Sequence, residues 1–375
     1  MKTFDLAFIG LGAASLSLAT RLANNGYGGS AVFIDPAPEA VDERTWCGWG
    51  LIDHPYRAAL TRQWHCWRVG SAAAMSRSGH PDIPYEMLRG SAVRRLSMQS
   101  IASRRDWEVL TPAAVMAEKR EQGTWCLELD DGSTVQAKMV LDSRPPRLSL
   151  QRPWLWQSFY GIEIKGEDFG ADDCVNLMEL VEDDAPLVNF FYELPITRDQ
   201  RLIEFTRFTP EKPDMEDLKA RVEQRLAERG WQQAQVVRTE QGHLPMAPIA
   251  AQTHEQWIAI GTAGGSMRPA TGYAFHAIQS WADEAAGQLM AGTPPSPPSR
   301  SRILDWLDGV FLESLWLEPE AAAGRYRQLF EKTPPAALTR FLMSRPRPID
   351  ILKVLLALPV SPMLRAAWHH GWRRS

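Results

Sequence analysis

The sequence predicts an α/β protein in three parts: an N-terminal βαβ unit of the nucleotide-binding kind, a mixed β-sheet region, and a helical C-terminal region. Three observations predict it. Asp5 to Asp35 reads as strand, glycine turn, helix and second strand. Short strand-like runs bounded by turn residues fill the middle of the chain. Beyond a Pro-rich stretch at Thr293, the remainder reads as helices rich in aromatics.

The first strand is Leu6 to Ile9, an apolar run suited to a parallel sheet covered on both faces. Gly10 permits the tight turn that follows. Gly12 removes a Cβ that would keep the backbone from a pyrophosphate lying on the next helix N-terminus. Ser15 holds the third glycine position, and serine is small enough for close helix-on-strand packing. Leu16, Leu18, Ala19 and Leu22 form the helical stripe, Asn24-Asn25-Gly26 stops it, and Ala31 to Ile34 form the second strand. Asp35, 25 residues after Gly10, can accept hydrogen bonds from the hydroxyls of an adenosine ribose. The unit is therefore expected to bind the adenosine half of a dinucleotide.

Past Pro36 and Pro38, the segment Glu43-Arg44-Thr45-Trp46-Cys47-Gly48-Trp49-Gly50 reads as an aromatic loop, followed by a Trp-rich stretch with Trp64 and Trp67. Arg44 either reaches a phosphate or ribose or makes an exposed ion pair. A helix is predicted from Ser91 to about Ser103. Strands follow at Trp107 to Leu110, Ala113 to Arg120, Thr124 to Leu129 and Val135 to Leu141, with a hairpin turn at Asp130-Asp131-Gly132-Ser133. This succession of nucleotide unit, meander and returning strand is familiar from FAD-dependent enzymes of Rossmann type. Strands at Ser158 to Ile164, Leu187 to Glu193 and Arg201 to Phe208, with a helix from Met215 to Arg229, make a second sheet expected to roof the reactive ring of the cofactor.

The chain returns to the first unit at Trp257 to Gly261, followed by Thr262 to Tyr273 and a helix. Small residues and a Pro–Gly loop at this junction put backbone N–H groups beside an anionic ligand, which makes Gly261, Gly264, Thr271 and Gly272 the second set of candidate cofactor contacts. The domain division is then 1–150 with 239–292 for the cofactor, 151–238 for the substrate sheet, and 293–375 for the helical region.

Composition narrows the function. A net charge of −4 over 375 residues and the lack of a long basic tract argue against nucleic acid. The four cysteines are scattered without a C-x-x-C pair, so metal and disulfide readings are weak and a reduced, cytoplasmic setting is expected. Asp5 interrupts the apolar start that would imitate a signal peptide, and no uninterrupted apolar stretch is long enough to cross a bilayer. The 15 tryptophans serve the core and suit a pocket for a large unsaturated substrate. The last 35 residues carry a net +5, including Arg373 and Arg374, beside the apolar run Val354 to Val360. They suit either a peripheral contact with the inner face of the membrane or a terminal helix docked on the core.

With these residues assembled, the chain resembles the lycopene cyclase family, specifically the bacterial lycopene β-cyclases. The likeness runs through IGLGAASLSLATRL, RTW, RLIEFT, ERGW with EQGHLP, and RPATGYAFHAI. The resemblance implies a hydroxylase/reductase-type flavoprotein fold, FAD in its reduced form with NAD(P)H as reductant, and a redox-neutral isomerase of the intramolecular lyase kind acting on a long apolar polyene. It also implies that Glu204 is the acid that protonates a terminal double bond. A carboxyl among Leu202, Ile203 and Phe205 would have a raised pKa and keep its proton. Strand alternation puts Glu204 with Leu202 and Thr206, away from Arg201 and Arg207, which argues against an ion pair with either. The family's second acid, directly after the glutamate, is Phe205 here; Glu179 and, less favoured, Glu163 are the candidates to replace it. The competing reading is an FAD-dependent monooxygenase or reductase of an apolar substrate.

Overall fold

The computed structural model describes residues 2–37, 44–181 and 187–372. Pro38, Glu43, Arg373 and Arg374 lie outside them. In chain order the elements are β1 (Thr3–Ile9), α1 (Ala13–Asn24), β2 (Ala31–Ile34), β3 (Thr45–Trp49), β4 (Leu60–Trp64), β5 (Cys66–Ser71), β6 (Ala74–Gly79), β7 (Tyr85–Arg89), α2 (Gly90–Ala102), β8 (Trp107–Leu110), β9 (Val115–Glu121), β10 (Thr124–Leu129) and β11 (Thr134–Asp142). The second half runs β12 (Leu155–Lys165), β13 (Cys174–Leu180), β14 (Val188–Pro195), β15 (Gln200–Thr209), α3 (Met215–Glu228), β16 (Gln235–Met246), β17 (Thr253–His254), β18 (Trp257–Ala259) and α4 (Phe275–Met290). Five helices close the chain: α5 (Arg302–Leu317), α6 (Ala322–Lys332), α7 (Pro335–Leu342), α8 (Pro348–Ala357) and α9 (Val360–Trp372).

A parallel ribbon in the order β18-β11-β1-β2-β8 forms the first sheet, with the β9–β10 hairpin added at β11. Its strands alternate between two apolar layers. Leu6 and Phe8 meet α1 and α4 on one face, while Ala7 and Ile9 meet Trp125 and Leu127 of the hairpin on the other. That double burial explains why β1 and β2 read as unbroken apolar runs.

The second sheet has the order β16-β12-β15-β14-β13-β5-β6 and is antiparallel except where β13 meets β5. One face packs on α3 through Ile203, Phe205, Leu218 and Val222. The opposite face joins Phe190, Leu202 and Phe208 to residues of α5, α6 and α7 in the largest apolar cluster. A small sheet, β3-β7-β4, sits beside them.

Four expectations need correction. The segment expected to be an aromatic loop is strand β3, paired with β7; its glycines and tryptophans hide the alternation. The boundary at 238/239 cuts through β16, which pairs along β12 from Leu155 to Lys165 and so belongs to the substrate sheet. The same sheet recruits β5 and β6 from within the range assigned to the cofactor. Finally, Cys66 and Cys174 form a disulfide, as register partners on β5 and β13 with Cα atoms 4.6 Å apart; a sequence separation of 108 conceals the pairing. Cys47 and Cys126 are free. Among the described residues no helix is long and apolar enough to cross a membrane.

Candidate active site

The site is a cavity of about 660 Å³ between the two sheets, walled on its far side by α5 to α8. One end is built from backbone. Gly12, Ala13 and Ala14 at the start of α1, Gly261 and Thr262 after β18, and Thr271 to Ala274 before α4 all face it. Neither α1 nor α4 has a side-chain cap at its N-terminus, so two helices present unclaimed N–H groups and positive dipole ends to the same space. Gly10 has φ +87, and a Cβ there would lie 2.4 Å from Ser143 Oγ, which fixes glycine at the turn. Gly12 is different: an added Cβ would meet no protein atom within 4 Å.

Of the other predicted contacts, Ser15 is fully buried in the helix-on-sheet packing and Asp35 is 8% exposed. The Asp35 carboxylate accepts from the Leu11 N–H and, at 2.8 Å, from the Ala37 N–H, so it braces the turn while keeping lone pairs for a ribose. Arg44 lines the cavity rim and is exposed. Thr271 and Gly272 line the cavity as well. Gly264 does not: its missing side chain makes room for the Ala259 carbonyl and Pro298, so it serves the turn and not the cavity. Two buried polar atoms of residues lining this end, Thr271 Oγ1 and Gln157 Oε1, have no hydrogen-bond partner among the described residues. Buried polar atoms without partners are rare, and a dinucleotide with phosphates, ribityl hydroxyls and an isoalloxazine edge offers what these groups lack. The residues present fit FAD.

The loop is held from behind. Arg268, 4% exposed, makes a bidentate pair with Asp308 on α5 (Nη2 to Oδ1 2.7 Å, Nε to Oδ2 3.0 Å), donates to the Phe341 carbonyl on α7, and lies over the Phe341 ring. Asp308 also accepts from the Ala270 N–H at 3.2 Å. The end of the Pro-rich stretch is pinned here too, since Arg300 donates to the Gly265 carbonyl at 3.0 Å.

The rest of the cavity is apolar and aromatic, lined by Phe190, Phe208, Phe311, Tyr326, Phe330 and Leu358 among others. Glu204 enters it from β15 on the face of Thr206 and Phe208, as alternation requires. Ile203 and Phe205, expected to surround the acid, instead pack on α3. Burial, and after it the nearby Glu240 carboxylate, push Glu204 up to about 8. Thr206 Oγ1 donates to Glu204 Oε1 at 2.7 Å, and Glu204 makes no ion pair among the described residues. Its other neighbours are Tyr192 opposite it on β14 and Cys47 on β3, whose thiol burial pushes up to about 12.

Sequence reasoning missed Glu240. Glu204, Gly161 and Glu240 stand in register across β15, β12 and β16, and both glutamates line the cavity. A Cβ at position 161 would lie 3.2 Å from Glu240 Cγ and 3.4 Å from Glu204 Cβ, so the two acids flank a strand position that carries no side chain. No sequence spacing signals this pair, because the two residues meet only through a third strand.

Glu179 is not brought to the site. Register shifts between Asn176 and Glu179 send both Leu177 and Met178 to the cavity and turn Glu179 to the opposite face, where Arg225 donates to it at 2.6 Å. Glu163 is fully buried but engaged by Arg89, Gln200 and Arg238. His243 lines the cavity and bonds Ser158 Oγ at 2.8 Å.

A parallel sheet opened by a glycine turn, a second sheet over it, and a shared cavity make a hydroxylase- and reductase-type flavoprotein fold. The chain is similar over 97% of its length to a geranylgeranyl bacteriochlorophyll reductase-like protein from Thermoplasma acidophilum (98% of that chain, 14% identity, TM-score 0.62). It is similar over 99% to p-nitrophenol 4-monooxygenase from Pseudomonas putida DLL-E4 (98% of that chain, 14% identity, TM-score 0.58). A profile of the lycopene cyclase protein family matches residues 5–368, and the chain belongs to that family. Lycopene beta-cyclase from Pantoea ananas is 25% identical over 97% of both chains. The enzyme of the same name from Paracoccus sp. is 27% identical over 63% of this chain and 64% of its own.

Proposed function

We propose that the protein is a flavin-dependent, redox-neutral cyclase that protonates a linear polyene, lycopene or a close analogue, and closes a β-ionone-type ring. The observation that carries the reading is Glu204: an un-ion-paired carboxyl, raised to about 8, in an aromatic cavity that continues into a cofactor cradle. At neutral pH it holds its proton. The Thr206 hydroxyl occupies Oε1 and leaves Oε2–H free to donate. As the Glu204 O–H bond breaks, a C–H bond forms at the terminal double bond and leaves a tertiary cation. The electron pair of an internal double bond closes the ring, and the adjacent ring proton passes to the Glu204 carboxylate as the ring alkene forms, exchanging with solvent before the next turnover. The faces of Phe190, Phe208 and Tyr326 stabilise the passing cation and exclude water that would trap it. FAD, reduced by NAD(P)H and held by Gly12, Gly261, Thr271 and Gly272, would supply a fixed negative charge beside the cation.

The reading is tested by incubating FAD-loaded protein with NAD(P)H and lycopene and separating the products by chromatography. β-Ring products are expected. Intact carbon ends with consumption of NAD(P)H and oxygen would sink it in favour of a monooxygenase. The cofactor assignment has its own test in Gly12→Val. Because an added Cβ there meets no described protein atom within 4 Å and the backbone is extended at φ −79, the apoprotein is expected to unfold at an unchanged temperature. FAD occupancy should fall at least about tenfold, since the methyls fill the pyrophosphate's approach to the helix N-terminus.

Such a substrate lives in lipid, and α8 and α9 suit a lipid surface. Leu356 (70% exposed), Val360, Leu364 and Trp368 (74%) face solvent beside exposed Arg347 and Lys353, while Leu355 and Leu358 also line the cavity. The protein is expected to float with anionic lipid vesicles, and Leu356→Glu combined with Trp368→Glu to abolish flotation. Equal flotation of the two proteins would refute this contact.

A further inference from the structure

We propose that Glu240 supplies the second carboxyl of the acid site and acts as a positioning residue that keeps the proton on Glu204. The proposal rests on the reading of Glu204 as the acid and extends it to a division of labour between two carboxyls.

The two glutamates differ in what holds them. Glu240 Oε2 accepts from Arg238 Nη1 at 2.9 Å and from Thr45 Oγ1 at 2.8 Å. Arg238 in turn donates to Thr45 and, at 2.6 Å, to Glu163, which Arg89 and Gln200 also engage. Glu240 is thus engaged by an ionic chain joining β16, β12, β3 and β7. Among the described residues Glu204 has only the Thr206 hydroxyl. Two carboxyls that flank an empty strand position in a dry cavity do not both ionise cheaply, and the one without a cation keeps the proton. The other groups facing Glu204 are Arg238, which opposes the effect, and Tyr192 and Cys47, which burial keeps neutral.

Two sequence features fall into place. Gly161 lies between the acids, where any larger residue would meet both. Phe205 faces α3, so an acid in that position would point away from the cavity; on this backbone a second carboxyl must come from another strand.

The test compares wild type, Glu240→Gln and Glu240→Asp. In kcat/KM against pH, the alkaline limb of the wild type reports the loss of the Glu204 proton in the free enzyme. Removing the Glu240 charge should move that limb to lower pH by about one unit or more, and Glu240→Asp should restore it. A residue with only a structural role would lower the rate without moving the limb. Independently, infrared spectra of FAD-loaded protein without substrate at pH 7 should contain a protonated-carboxyl band that is lost in Glu204→Gln and weakened in Glu240→Gln. If that band responds and no polyene is cyclised, the carboxyl pair stands and the cyclase reading falls. If Glu240→Gln cyclises with an unmoved limb, or its band is unchanged, the proposal is overturned.

Discussion

Glu204→Gln is expected to lower the rate of the proposed ring formation by about 10²- to 10⁴-fold, the usual cost of removing a general acid, and to leave FAD content unchanged. The amide matches the carboxylic acid in shape and in charge, because the folded protein holds Glu204 neutral at pH 7. It also keeps an acceptor for Thr206 Oγ1. What it lacks is a proton acidic enough to reach an alkene. The variant therefore separates chemistry from binding: flavin and the proposed substrate should still enter, and linear polyene should persist. A second signature lies in stability. With a pKa raised from 4.5 to about 8, Glu204 binds its proton more tightly when folded than when unfolded. Its contribution is fully present below 4.5 and is lost as pH rises through about 8, so the stability of the wild type should decline across that window more steeply than that of Glu204→Gln. Parallel profiles, or a variant that still forms rings at wild-type rate, would remove Glu204 from the acid role.

Arg268→Ala has the largest expected effect on the fold around the site. Arg268 and Asp308 are each nearly fully buried, and their bidentate pair joins the loop before α4 to α5, with the Phe341 carbonyl of α7 as a third anchor. Truncating the arginine leaves the Asp308 carboxylate buried without its counter-ion, a change that costs about 3–5 kcal/mol. It also frees Ala270 to Gly272, the backbone nearest the proposed cofactor, so flavin should be lost along with stability. The check is chemical denaturation of the apoprotein together with the flavin content after gel filtration. Asp308→Asn with Arg268→Met, which removes both charges, should recover most of the stability. A single variant as stable as wild type would show that the helical region does not brace the loop.

How much of this was legible in the sequence follows from how local each signal is. The βαβ unit was readable because its strands, glycines and Asp35 lie within one short stretch, and the structure pairs β1 with β2 in register from Leu6 to Ile9. Glu204 could be assigned to its cavity face because alternation along β15 is unbroken. Glu179 was misread because register shifts break the same alternation in β13, and nothing in Asn176-Leu177-Met178-Glu179 announces them. Glu240 was missed for the opposite reason. Its strand is mostly polar, with Val236 and Val237 exposed, so period-two patterning is weak and the pairing with Glu204 exists only across β12. The aromatic stripes of α5 to α7 were visible as apolar, but a sequence does not tell a helix that fills a core from one that walls a cavity.

The central claim, that Glu204 delivers a proton to carbon without net redox chemistry, is tested most directly by running the reaction in deuterated water with FAD-loaded protein and catalytic NAD(P)H. One deuterium in each ring formed and no stoichiometric oxidation of NAD(P)H are expected. Products without solvent deuterium, or one NAD(P)H consumed for each product, would contradict it.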